Sequence, residues 1–195
     1  MRIFKTICCT ILAIALAASF ALSAFTSTQQ KRGGGYSTLT TITDESREWI
    51  LDQFGDCRTI PELLTEMDHF AAENFTYGFP RKQILQNFWL DTFLFEDDFL
   101  GVCFDFSCFA KCVVLVWKEA HQRDDVQVYV YDVRTKNGGH SYNFIMEDGH
   151  TWFLCLTTDV TRASKGQKLQ GPIEITGETP REYAQRYDEH IYNIN

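Results

Sequence analysis

Residues 101–117 constrain this chain more than any other stretch. They read GVCFDFSCFAKCVVLVW, apolar almost all the way round, with only Asp105 and Lys111 charged. A surface helix carries a polar face, and no such face can be drawn here. The VVLV portion alone would suit a buried strand, but a run of this length favours a helix. Residues 101–117 are therefore expected to form a buried central helix carrying Cys103, Cys108 and Cys112.

The flanking patterns differ on the two sides of this helix. Upstream, Asp44 is a plausible N-cap for a helix to Phe54, with Trp49, Ile50 and Phe54 on one face. Thr59 and Glu62 form a capping-box pattern that opens a helix bearing Leu63, Leu64, Met67, Phe70 and Ala71. A third helical stretch is expected over 81–93. Downstream the period changes to two: a strand over 126–133, a turn at Asn137-Gly138-Gly139, and strands over 140–147 and 151–158. The last two flank Asp148-Gly149, a strong two-residue hairpin signal. A short strand follows around 172–175, and Thr179 with Glu182 caps a C-terminal helix reaching about His190. Helices, then strands, then one helix predict a single α+β domain over 42–195, its buried Cys-bearing helix packed on an antiparallel sheet.

The first 24 residues are of another kind. Arg2 and Lys5 precede an uncharged stretch, and Ala21, Ser23 and Ala24 gather at its end, the anatomy of a secretory signal. An uncleaved anchor is the alternative, and membrane association is expected only in that case. Residues 25–41 are rich in Gly, Ser and Thr and read as a flexible linker. The expected location is secreted or extracytoplasmic. The chain carries a net charge of −8, which becomes −10 once Arg2 and Lys5 are removed, and it has no long basic run. A nucleic-acid footprint is absent. Five cysteines remain beyond the signal: Cys57, Cys103, Cys108, Cys112 and Cys155. An odd number in an exported protein leaves at least one thiol free or paired with another molecule, whether as a spare or as a nucleophile.

Cys103 lies where the buried helix should begin. The first N–H groups of a helix have no partner within it, and the positive end of the dipole favours a thiolate and a developing oxyanion. A cysteine considered alone is more often a core residue, so this one needs partners. If Asp148-Gly149 is a two-residue loop, Glu147 pairs with His150 and His140 faces Thr157. Asp159, two residues further, would then share a face with His140 at about 7–8 Å between Cα atoms. A slip of one residue would send it to the opposite face. Together Cys103, His140 and Asp159 would supply nucleophile, base and orienting carboxylate.

Three motifs give these residues a family context. Gly101-Val-Cys-Phe-Asp-Phe-Ser107 resembles the signature of the transglutaminase-like superfamily, which has a papain-like fold. His140-Ser-Tyr-Asn143 resembles its His-x-aromatic box, with Tyr142 where Trp is commoner, and Asp159-Val-Thr161 resembles its terminal Asp-x-Thr. The resemblance runs from about Leu63 to Arg162. It implies that Cys103 is the nucleophile, His140 the general base and acid, and Asp159 the residue that orients the imidazole. The family's side-chain oxyanion donor lies upstream, and Tyr77 and Trp89 are the candidates.

The implied activity is a cysteine protease, amidase or transglutaminase-type acyltransferase that attacks an amide carbonyl through a thioester. Hydrolysis is favoured over amine transfer, because no lid-like insertion is seen that would hold an amine and exclude water. Peptides, secreted proteins or cell-wall peptide are the substrates within reach of an exported enzyme. Two alternatives stand beside it. One is an NlpC-type cell-wall cysteine peptidase using His150 as a second histidine. The other is a catalytically silent extracellular scaffold with Cys103 locked in a disulfide. No cofactor is expected, and no Cys or His cluster has metal-ligand spacing.

Overall fold

The computed structural model describes residues 30–31, 37–79, 87–135 and 138–192; the expected signal and most of the expected linker lie outside them. In chain order the elements are β1 (Gln30–Lys31), β2 (Ser37–Thr41), α1 (Asp44–Phe54), α2 (Ile60–Asn74), β3 (Thr76–Tyr77) and β4 (Asn87–Trp89). A π-helical turn (Thr92–Glu96) and β5 (Leu100–Gly101) lead into α3 (Cys103–Ala120). Then come β6 (Gln127–Thr135), β7 (Gly138–Glu147), β8 (His150–Leu154), α4 (Leu156–Ser164), β9 (Ile173–Glu174) and α5 (Pro180–Tyr192). The α+β class expected from the sequence is the class observed. Among the described residues no helix is long and apolar enough to cross a membrane.

The central helix is as buried as its composition requires. In α3, Phe106, Cys108, Phe109, Ala110, Cys112, Val113 and Val114 are wholly shielded from solvent. Phe109 sits among the rings of Phe54, Phe70, Phe75 and Phe93, with centroids 5.0–6.4 Å away. At the far end of the helix the Trp117 indole donates to the Cys57 carbonyl at 2.8 Å, so the one polar atom of that buried ring is satisfied.

The second half folds as an antiparallel sheet in the order β6-β7-β8-β9. Asp148 and Gly149 take positive φ of 45° and 82°, the two-residue turn whose twist matches its strands, and Glu147 pairs with His150 as the hairpin signal predicts. Alternation gives the sheet two buried faces. Ile145 and Leu154 join the core built on α3, and Asn143 donates to the Ser107 carbonyl of α3 at 2.9 Å. Tyr142, Phe144 and Phe153 face the other way, against Tyr183, Ala184 and Tyr187 of α5.

Two expectations are corrected. The strand expected over 151–158 ends at Leu154, because the Cys155 carbonyl accepts the N–H groups of Thr158 and Asp159 and starts α4 there. The helix expected over 81–93 is not what residues 87–93 form: β4 lies parallel to β2, with Leu39, Thr40 and Thr41 paired to Asn87, Phe88 and Trp89, and residues 81–86 lie outside those described. Thr40 is fully buried by that pairing, so ordered structure reaches back into the stretch read as linker. All five described cysteines are free thiols, and each is buried.

Candidate active site

The start of α3 is shaped by Gly101. A Cβ at this position would lie 2.8 Å from Asp105 Cβ and 3.1 Å from the Phe93 ring, so only glycine allows the chain to turn into the helix here. Val102 follows as N-cap and has no side-chain acceptor to offer the first turn. The reciprocal contact is made instead, with Asp105 Oδ2 accepting from the Val102 N–H at 2.9 Å. The first helical bond runs from Phe106 to Val102. Cys103 thus heads the helix at its electropositive end, behind an N-cap whose side chain offers no acceptor. Burial raises the Asp105 carboxyl, and the Val102 N–H pulls it back. Cys103 is 8% exposed, and its Sγ lies 3.9 Å from the carbonyl oxygen of Gly139, the residue before His140.

His140 is the third residue of β7, opposite Val133, on the same face as Tyr142 and Phe144, which is the face that α5 covers. Its ring lies 5.6 Å from that of Tyr142 and 6.5 Å from that of Tyr187. Nε2 is 3.4 Å from Cys155 Sγ. The same sulfur accepts from Thr158 Oγ1 at 3.2 Å and from the Tyr187 hydroxyl, while burial pushes the thiol up. Among the described residues no hydrogen bond joins Cys103 to the His140 ring. Cys103 meets the backbone of the residue before His140, while the imidazole lies against Cys155, on the sheet face that α5 covers.

Asp159 is elsewhere. It lies in the first turn of α4, wholly buried, and accepts from the backbone N–H groups of Gln170 and Gly171, the latter at 3.3 Å. The strand that would have carried it past His140 ends five residues too soon. Facing Asp159 is Asp68 of α2, also buried, and the two carboxyl groups share a hydrogen bond. Burial, then the Asp159 contact, pushes Asp68 up to about 8. Asp68 therefore keeps its proton well above the usual carboxylate range. A carboxyl raised on folding binds a proton that the unfolded chain has lost, so its contribution is full below about pH 4 and fades as pH rises towards 8. Asp68→Asn should accordingly raise the melting temperature above pH 8 and match the parent near pH 4. Equal shifts at both pH values would contradict this assignment.

The two oxyanion candidates separate. Tyr77 pairs with Gly101 across β3 and β5, two residues before Cys103, and is 52% exposed. Its ring lies 6.1 Å from that of Phe106 in the first turn of α3. Trp89 belongs to the other parallel pair, opposite Thr41. His150 is at the hairpin tip, ion-paired with Glu174 at 2.5 Å. The strand between His140 and Glu147 is about 23 Å long at ~3.3 Å per residue. His150 is thus remote from Cys103 and from His140, and the two-histidine arrangement is excluded.

Cys155 was missed from sequence, although the register contained it. A residue facing Thr157 has two diagonal neighbours, 155 and 159, and it is 155 that meets the His140 ring.

No family model and no curated protein matches the sequence. In structure the chain is similar to a candidate cysteine protease from Cytophaga hutchinsonii, with a TM-score of 0.42 and 15% sequence identity, covering 68% of this chain and 41% of that one. It is also similar to a protein described as a TGase, with a TM-score of 0.40 and 14% identity, covering 73% of this chain and 38% of that one. The chain thus spans about two fifths of the length of each.

Proposed function

We propose that this chain is a transglutaminase-like thiol enzyme that cleaves amide bonds, with Cys103 as nucleophile and His140 as base. The observation that carries the reading is the place of Cys103: at the head of a buried helix, its thiol against the backbone of the residue before His140. In this reading His140 Nδ1 takes the thiol proton while Nε2–H stays bonded to Cys155. The thiolate adds to the carbonyl carbon, and the oxyanion receives the N–H groups at the head of α3. The C–N bond breaks as the imidazolium gives its proton to the leaving amine. Water, deprotonated by the imidazole, then opens the thioester and restores the thiol. Tyr77, at the same end of the helix, is the better of the two side-chain candidates for a second oxyanion donor.

Export by the N-terminal segment would make peptides, secreted proteins and cell-wall peptide the accessible substrates. One observation favours the second reading, a silent scaffold: the imidazole is bonded to Cys155 and not to Cys103. Incubation with a peptide pool and hydroxylamine separates the two. A thioester enzyme releases peptide hydroxamates in a Cys103-dependent way; a scaffold releases none. Free acids formed alongside them would set hydrolysis above amine transfer.

A further inference from the structure

The orienting position beside His140 holds a neutral group. Burial pushes the Cys155 thiol up, so it presents an uncharged sulfur to Nε2, and sulfur is a weak acceptor. An imidazole that must become imidazolium during turnover needs a negative partner within electrostatic reach. Asp159, the carboxylate expected to serve, is engaged with Gln170, Gly171 and Asp68.

The C-terminal helix α5 closes over the His140 face. Tyr187 lies with its ring nearly parallel to the imidazole, and its hydroxyl meets Thr158 Oγ1 at 2.9 Å and bonds to Cys155. Next to it, Asp188 receives the hydroxyl of the fully buried Tyr142, at 3.1 Å to Oδ2 and 3.3 Å to Oδ1. Tyr142 is in turn in ring contact with His140. One helix therefore touches the orienting thiol, flanks the imidazole, and places a half-buried carboxylate behind it.

We propose that Asp188 is a positioning residue for His140, fixing the ring through Tyr142 and supplying the negative charge that Cys155 does not. The inference rests on the Cys103–His140 reading. Burial raises the Asp188 carboxyl, and the Tyr142 hydroxyl and then the His140 charge draw it back down. Among the described residues, the titratable groups around the imidazole are Tyr142 on its own strand, Cys155 at the head of α4, and Tyr187 and Asp188 from α5, with Cys103 of α3 against the preceding backbone. Asp188 is the carboxylate of this set, while Asp159 and Asp68 of the neighbouring helices act on Cys155 from its far side. Asp132, paired through Ser141 on β7, points from the opposite face.

The test is the rate of Cys103 alkylation by iodoacetamide in the full chain from pH 4 to 9, for the parent, His140→Ala, Asp188→Asn, Asp188→Glu and Tyr142→Phe, with melting curves for each. A thiolate paired with an imidazolium persists to lower pH than a lone thiolate. Asp188→Asn is expected to shorten the range over which the thiolate–imidazolium pair persists, moving its upper limb, where the imidazolium loses its proton, downward by about half a pH unit or more. Asp188→Glu should restore most of that shift, and Tyr142→Phe should give part of it. An unmoved limb with a lowered melting temperature would make Asp188 a staple for α5 and nothing more, overturning the proposal. A parent profile identical to that of His140→Ala would instead remove the underlying dyad, whatever the Asp188 variants do.

Discussion

Cys103→Ala is expected to abolish amide cleavage, lowering it by about 10⁴-fold or more, with His140→Ala close behind and the double variant no worse than the first. The non-additivity matters as much as the size. A thiol and the base that deprotonates it act as one unit, so removing either removes the thiolate route. The check is product release from a peptide pool followed by mass spectrometry, with Cys108→Ala and Cys112→Ala beside it. Those two cysteines share α3 with Cys103 but are wholly buried in the core, and burial pushes the Cys112 thiol up to about 12. Their loss should cost stability and leave the chemistry in place. Activity surviving in Cys103→Ala would end the enzyme reading built on this residue.

Cys155→Asp is expected to increase activity. The sulfur is 3.4 Å from His140 Nε2, and a carboxylate there would form a charge-assisted bond about twice as strong as a neutral one. The donors for its remaining lone pairs are already in place, since Thr158 Oγ1 and the Tyr187 hydroxyl both point at the sulfur. A gain of about tenfold in kcat/KM is a reasonable expectation for supplying an orienting charge. Stability should fall, because Asp159 and the Asp68 pair lie close enough to act on this position. Cys155→Ala provides the opposite arm: the ring loses its anchor and kcat drops by at least tenfold at unchanged KM. Neither change moving kcat would mean that the Cys155–His140 contact has no part in turnover.

The sequence made the core and the hairpin legible because each rests on a local rule. An apolar run without a polar face can only be buried, and Asp148-Gly149 admits only a turn with positive φ at both positions. Register followed from the turn, and Glu147 meets His150 as counted. What could not be counted was where β8 stops. Leu154 and Cys155 offer no breaker, and the chain leaves the sheet because α4 packs against α2, with Asp159 drawn into contact with Asp68. That is a tertiary preference, and it leaves Cys155, not Asp159, in contact with the His140 ring. The β2–β4 pairing was hidden for a related reason. Each strand looks like linker or helix until the other is beside it, and parallel neighbours distant in sequence leave no local trace. The contribution of α5 to the His140 environment was likewise invisible, since it depends on which face of the sheet that helix covers.

The most direct test of the central claim is a map of which thiol reacts first. The folded protein, residues 25–195, is exposed to limiting iodoacetamide at pH 6.5, digested, and each of the five cysteines quantified, in the parent and in His140→Ala. Burial raises the thiols of Cys57, Cys112 and Cys155, so they should remain unlabelled. Cys103 is expected to take nearly all the label, and His140→Ala to slow it by about tenfold or more. Labelling that falls first on Cys155, or reaches Cys103 at the same rate without His140, would contradict the assignment of Cys103 as the activated nucleophile.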